Sequence, residues 1–115
     1  MAVTGPDVKR AKRAAPRTGS SVCVLLRAEA KPGAQQELLA LWSDFAFQVT
    51  EDEPTCMSYV LTHELGSPTH FAAHARFTDI AAFERHAEAP HLARALRRLS
   101  ALLATPITIE LFLEA

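Results

Sequence analysis

The sequence predicts an α+β domain in which one antiparallel four-stranded sheet carries two helices on a single face. Three observations carry this. The apolar period switches between about 2 and about 3.6 residues in the order strand, helix, strand, strand, helix, strand. Only the short turn "GSP" at 66–68 separates the second and third strands, so they pair as a hairpin. Several strands are apolar on both sides, which suits a sheet roofed by helices on one face and by a partner on the other.

Patterning starts at Ser20. In "SVCVLLRAEA", Val22, Val24 and Leu26 share one face while Cys23 and Leu25 take the other, the mark of a central strand. "KPG" at 31–33 turns the chain. From Ala34 to about Thr50, Leu38, Leu41, Trp42, Phe45 and Val49 form one helical stripe. "EDEP" stops it, and its three acids, at the unfavourable negative end of the helix, read as a solvated corner. "TCMSYVLTHEL" alternates, with Cys56, Ser58, Val60 and Thr62 on one side and Met57, Tyr59, Leu61 and His63 on the other. "THFAAHARF" is the third strand. Asp79 is an N-cap for "IAAFERHAEA", and after Pro90 a second helical stretch aligns Leu92, Leu96, Leu99 and Leu103. Arg94, Arg97 and Arg98 lie on its opposite side. "TPITIELFLEA" closes the chain as a strand with Ile107, Ile109, Leu111 and Leu113 on one face. This is the split βαβ order, in which the first two strands are not neighbours, so Cys23 and Cys56 stand too far apart to bond.

A length of 115 residues allows one domain with a modest core. The net charge of −1 hides an asymmetry: residues 1–20 carry +4 and residues 21–115 carry −5. The basic segment 1–20 has almost no large apolar side chains and reads as a disordered tail. No apolar run is long enough for a signal core or a membrane span, so a cytoplasmic protein that binds neither membrane nor nucleic acid is expected. Two cysteines without C-x-x-C spacing fit free thiols and no structural zinc. No glycine-rich phosphate loop or nucleophile elbow is present.

The chemistry concentrates in "AAFERHAEAPHL" at 81–92. Pro90 forces Ala89 out of helical geometry and opens a new helix. His86 therefore sits in the last turn of one helix and His91 in the first turn of the next. Helix dipoles favour a cation near His86 and a neutral ring at His91, the separation an acid and a base need. Two capping or surface histidines are the plain alternative. His70 and His74, four apart on a strand, stand about 13 Å from each other and cannot share a metal ion. No ligand spacing in the sequence supports a metal site. Trp42 reads as core, and Tyr59 as either core or the polar handle of a pocket.

These stretches together resemble the antibiotic biosynthesis monooxygenase domain family, from about Val22 to Leu113. The resemblance rests on "KPG", "EDEPTCMSY", "ARFTDIAAFERHAEAPHL" and "TPITIELF" in that order, with the family's F-x-x-H-x-x-x-x-H as Phe83, His86 and His91. Two positions depart from it. The family's usual E-P-G is Glu53, Pro54 and Thr55 here, and its E-r-W is Ala75, Arg76 and Phe77.

The resemblance implies a ferredoxin-like fold that dimerises through the open sheet face into an α+β barrel, with a cavity between sheet and helices. It implies a cofactor-free monooxygenase that oxidises a small aromatic hydroxyl or quinol substrate with dioxygen. A deprotonated phenol can itself reduce dioxygen, so the protein needs a base, donors for the anion and a dry pocket. His91 is then the expected base, with His86 and Tyr59 as orienting or anion-stabilising groups. Phe77, Trp42 and Arg94 are the expected substrate-binding side chains. The alternatives are a non-catalytic dimeric module that binds a small ligand, and an isomerase of the same fold.

Overall fold

The computed structural model describes residues 20–115; the basic tail assigned to residues 1–20 lies almost entirely outside them. The elements are β1 (Val22–Glu29), α1 (Gln35–Asp52), β2 (Cys56–His63), β3 (His70–Phe77), α2 (Ile80–Ala87), α3 (Pro90–Ser100) and β4 (Thr108–Leu113). They form one antiparallel sheet in the order β2-β3-β1-β4, the ferredoxin-like arrangement. Because β3 lies between β1 and β2, Cys23 and Cys56 are on non-adjacent strands, and both are free thiols.

Local signals explain most boundaries. Between β1 and α1 the Ala34 N–H donates to the Lys31 carbonyl at 2.9 Å. Gly33 sits third in this turn at φ +85°, a conformation only glycine takes without strain. The α1 stripe buries Leu38, Trp42, Phe45, Ala46 and Val49. These pack on Val22, Val24, Ala73, Ala75 and Phe77 of the sheet. Asp79 caps α2 by accepting the Ala82 N–H at 2.8 Å. Ala89 is extended at ψ 138°, as a residue before proline must be, and Pro90 begins α3. The helical region after β3 is therefore two helices set at a corner.

Two sheet details depart from simple alternation. Cys56 pairs with Phe77 while Ser58 pairs with Arg76, so a bulge at Met57 puts two residues of β2 opposite one of β3. Cys56 therefore faces the helices together with Tyr59 and Leu61, not the opposite side with Ser58 and Val60. In β4, Ile109, Leu111 and Leu113 pair with Leu26, Val24 and Val22 and do share one face. That face is only thinly covered by the helices: the three residues stay 57%, 53% and 37% exposed.

The face away from the helices is mixed rather than purely apolar. Val60 and Phe112 are exposed there, and Arg27 pairs with Glu110 across β1 and β4 at 3.2 Å. Arg76 Nη2 donates to Glu114 at 2.6 Å, and the Ser21 hydroxyl donates to the same carboxylate. This face also holds a concavity of about 600 Å³ whose margin includes His70, His74 and Arg27. No helix among the described residues is long and apolar enough to cross a membrane.

Candidate active site

The decisive residue is Glu53, the C-cap of α1. Its backbone leaves the helix at φ −119°, ψ 92° while its N–H still reaches Val49. A carboxylate at this end of a helix is opposed by the dipole. Here the cost is offset by two imidazoles. His86 Nδ1 lies 3.0 Å from both carboxylate oxygens, and His91 Nε2 lies 2.6 Å from Oε2. The three side chains are only 14% (Glu53), 8% (His86) and 18% (His91) exposed. The α2–α3 corner makes this possible, since a straight helix would set residues 86 and 91 about 140° apart around its axis. The reading of "EDE" as a solvated corner holds for Glu51 and Asp52 and fails for Glu53.

His86 is wedged among aromatic rings, with centroids at 4.9 Å from Phe77, 6.1 Å from Phe45 and 6.3 Å from Phe83. It forms part of the wall of a cavity of about 330 Å³ between sheet and helices. Trp42, Tyr59, Phe77 and Phe83 are further walls, Ala75 opens the floor, and Leu96 and Leu99 of α3 close the roof. That volume is at the lower end for small-molecule pockets, and the lining is apolar with few polar groups, as such pockets require.

Tyr59 supplies one of those groups. Its hydroxyl accepts the Trp42 Nε1–H at 2.9 Å, which leaves its own proton for a ligand. Burial pushes the Tyr59 phenol up to about 12; the bond from Trp42 opposes this, and Cys56 and Glu53 add to it. Tyr59 is thus a neutral donor at any physiological pH. Below pH 10 the phenol is protonated in both folded and unfolded chains. Between about 10 and 12 the unfolded chain releases its proton first, so folding stability falls as pH rises through that window. Tyr59 is the only tyrosine, so tyrosinate absorbance reads it alone. The native protein is expected to titrate near 12 and the denatured chain near 10. A native midpoint near 10 would contradict the buried hydroxyl. Cys56, buried close by, is also pushed up by desolvation and then by Glu53, which makes it an inert thiol.

Of the six site residues expected from sequence, Trp42, Tyr59, Phe77 and His86 meet at the cavity. His91 and Arg94 do not. They line a separate outer depression of about 170 Å³ between α1 and α3, with Asp44, Gln48 and Arg98. His91 joins the site from behind, through Glu53 and through ring contacts with Phe45 and His86 at centroid distances of 5.9 and 6.3 Å. Three donor atoms from Glu53, His86 and His91 lie within 4.8 Å of one another, a ligand-type grouping that linear spacing did not reveal.

The model of the family described as antibiotic biosynthesis monooxygenase matches residues 21–98. The chain belongs to this family. No curated protein matches the sequence. Among solved structures, the fold is similar to a candidate antibiotic biosynthesis monooxygenase of Caulobacter crescentus, with a TM-score of 0.79 at 18% identity over 84% of this chain and 92% of that one. A second candidate member, from Deinococcus radiodurans, gives 0.73 at 25% identity over 82% and 91%. SnoaB of Streptomyces nogalater, a cofactor-independent oxygenase, gives 0.72 at 24% identity over 81% and 91%.

Proposed function

We propose that this antibiotic biosynthesis monooxygenase family member oxidises a small aromatic hydroxyl or quinol-type substrate with dioxygen, without a cofactor. The observation that carries the reading is the Glu53–His86 pair at the wall of an apolar cavity. With the Nδ1–H donated to Glu53, the ring is held in the tautomer whose Nε2 lone pair is free to act as base. The base role thus goes to His86 rather than His91, which anchors Glu53 from the other side. Tyr59 donates to the substrate oxygen that gains negative charge.

For an anthrone-type substrate the balance closes. His86 takes one proton, and the resulting carbanion or enolate passes one electron to dioxygen. The two radicals join in a carbon–oxygen bond. The peroxide takes a proton back from His86, and loss of water with the second C–H proton leaves a carbonyl. One oxygen atom is incorporated and one leaves as water. The dry, aromatic-walled cavity protects the carbanion from reprotonation by solvent.

Oxygen uptake with a panel of anthrones and hydroquinones tests this, with the His86→Gln variant as control. Trp42 is the only tryptophan and lines the cavity, so quenching of its fluorescence reports binding separately. Uptake that depends on His86 supports the oxygenase. Quenching without uptake favours the binding module or an isomerase.

The functional unit in this proposal is a homodimer formed through the sheet face away from the helices. The support is the concave surface there, with Val60 52% and Phe112 54% exposed on an otherwise paired sheet. Light scattering is expected to give twice the chain mass, and Val60→Lys is expected to give monomers. A monomeric wild type at micromolar concentration overturns the dimer.

A further inference from the structure

We infer that Glu53, His86 and His91 form a binding site for a divalent first-row transition ion, and that the ion switches His86 from proton acceptor to proton donor toward the cavity. The donor set is two imidazoles and one carboxylate, which suits zinc, copper, nickel or iron and not calcium or magnesium. The three groups come from the end of α1, the last turn of α2 and the first turn of α3, so each is held by a helix end. Their donor atoms lie within 4.8 Å of one another. An ion about 2.0–2.2 Å from each donor needs neighbouring donors about 3 Å apart. The 3.0 Å separation between His86 and Glu53 is close to this, the 2.6 Å one between His91 and Glu53 must open by a few tenths, and the two ring nitrogens, within 4.8 Å of each other, must draw together by side-chain rotation. Solvent ligands can reach the open positions from the outer depression beside His91. Arg94 and Arg98 line that depression and moderate the affinity, while Asp44 offsets part of their charge.

The coupling follows from which nitrogen each ring uses. His86 faces Glu53 with Nδ1, and a metal there must bind the Nδ1 lone pair. The neutral ring then carries its one proton on Nε2. His91 does the reverse, binding through Nε2 and keeping its proton on Nδ1. Both rings stay neutral and each moves one proton to its far nitrogen, so no net proton is released. The effect on the cavity rests on the proposal that His86 is the base: with the ion bound, Nε2–H donates and cannot take a proton from substrate.

The test needs no substrate. Chelator-treated full-length protein is titrated calorimetrically with zinc chloride, and nitrogen-15 NMR reads the ring tautomers. One ion per chain is expected for wild type and for His74→Ala. Glu53→Gln and His91→Ala are expected to bind at least about a hundredfold more weakly, more than loss of an outer-shell partner costs. Their thermal melts confirm that they are folded. The His86 resonances are expected to move from the Nδ1–H to the Nε2–H pattern on zinc addition. No binding by wild type, or equal binding by wild type, Glu53→Gln and His91→Ala, overturns the site. Binding that leaves the His86 tautomer unchanged overturns the switch. None of these outcomes depends on whether the protein consumes oxygen, so failure of the site and failure of the oxygenase reading are separately visible.

Discussion

Replacing His86 with glutamine is expected to lower the turnover of oxygen consumption by about 10²–10⁴-fold, the usual worth of a positioned general base. Glutamine keeps comparable bulk among Phe45, Phe77 and Phe83 but offers no basic nitrogen. KM is expected to change little, because the aromatic walls that hold the substrate stay in place. His91→Ala is expected to cost much less. It frees Glu53 on one side and loosens the ring it orients, yet leaves His86 in the cavity wall. Initial rates on an oxygen electrode with one responsive anthrone give both values. A His86→Gln enzyme within about tenfold of wild type, beside a dead His91→Ala, would return the base role to His91.

The second large effect is on stability. Trp42→Ala is expected to cost about 3–5 kcal/mol, the range for removing a fully buried large aromatic. Trp42 is 2% exposed and packs at the centre of the α1–sheet interface. Its loss also leaves the half-buried Tyr59 hydroxyl without the donor it accepts from. In a domain of this size each kcal/mol shifts Tm by about 4–8 °C, so the variant is expected to melt more than about 12 °C below wild type. Urea unfolding measures the free energy directly. The Tyr59→Phe single and double variants then apportion the hydrogen bond. A cost below about 1 kcal/mol would mean that the cavity collapses around the gap, so that Trp42 lines a soft pocket.

Much of the fold was legible because it rests on local rules. The α1 stripe, the Asp79 cap and the Ala89–Pro90 corner each need only a few neighbouring residues to be read. The site was legible by half. His86 was marked by its helix position and its proline, but its partner was hidden in a run of three acids of which two are solvated. No local signal separates Glu53 from its neighbours, because all three acids stand at the negative end of α1 and two of them stay in solvent. The side on which Cys56 lies could not be read, because the bulge at Met57 changes the phase of β2 and leaves no composition signal. Arg94 and His91 stand off the cavity for a different reason: the side of α3 that carries them turns toward α1, and how α3 leans against α1 is not written in its own periodicity. The bareness of β4 likewise depends on helix placement, not on its own alternation.

The bulge has a practical consequence for engineering. Since Met57 is the surplus residue between the Glu53 corner and the stretch that presents Tyr59, length changes there are absorbed at one point instead of turning every later side chain over. Only Cys56 of the strand precedes the bulge, so the stretch from Ser58 onward can be redesigned separately from the Glu53 corner. Substrate-side positions can be recut downstream of Met57 while the acid-bearing corner upstream stays fixed, or the reverse.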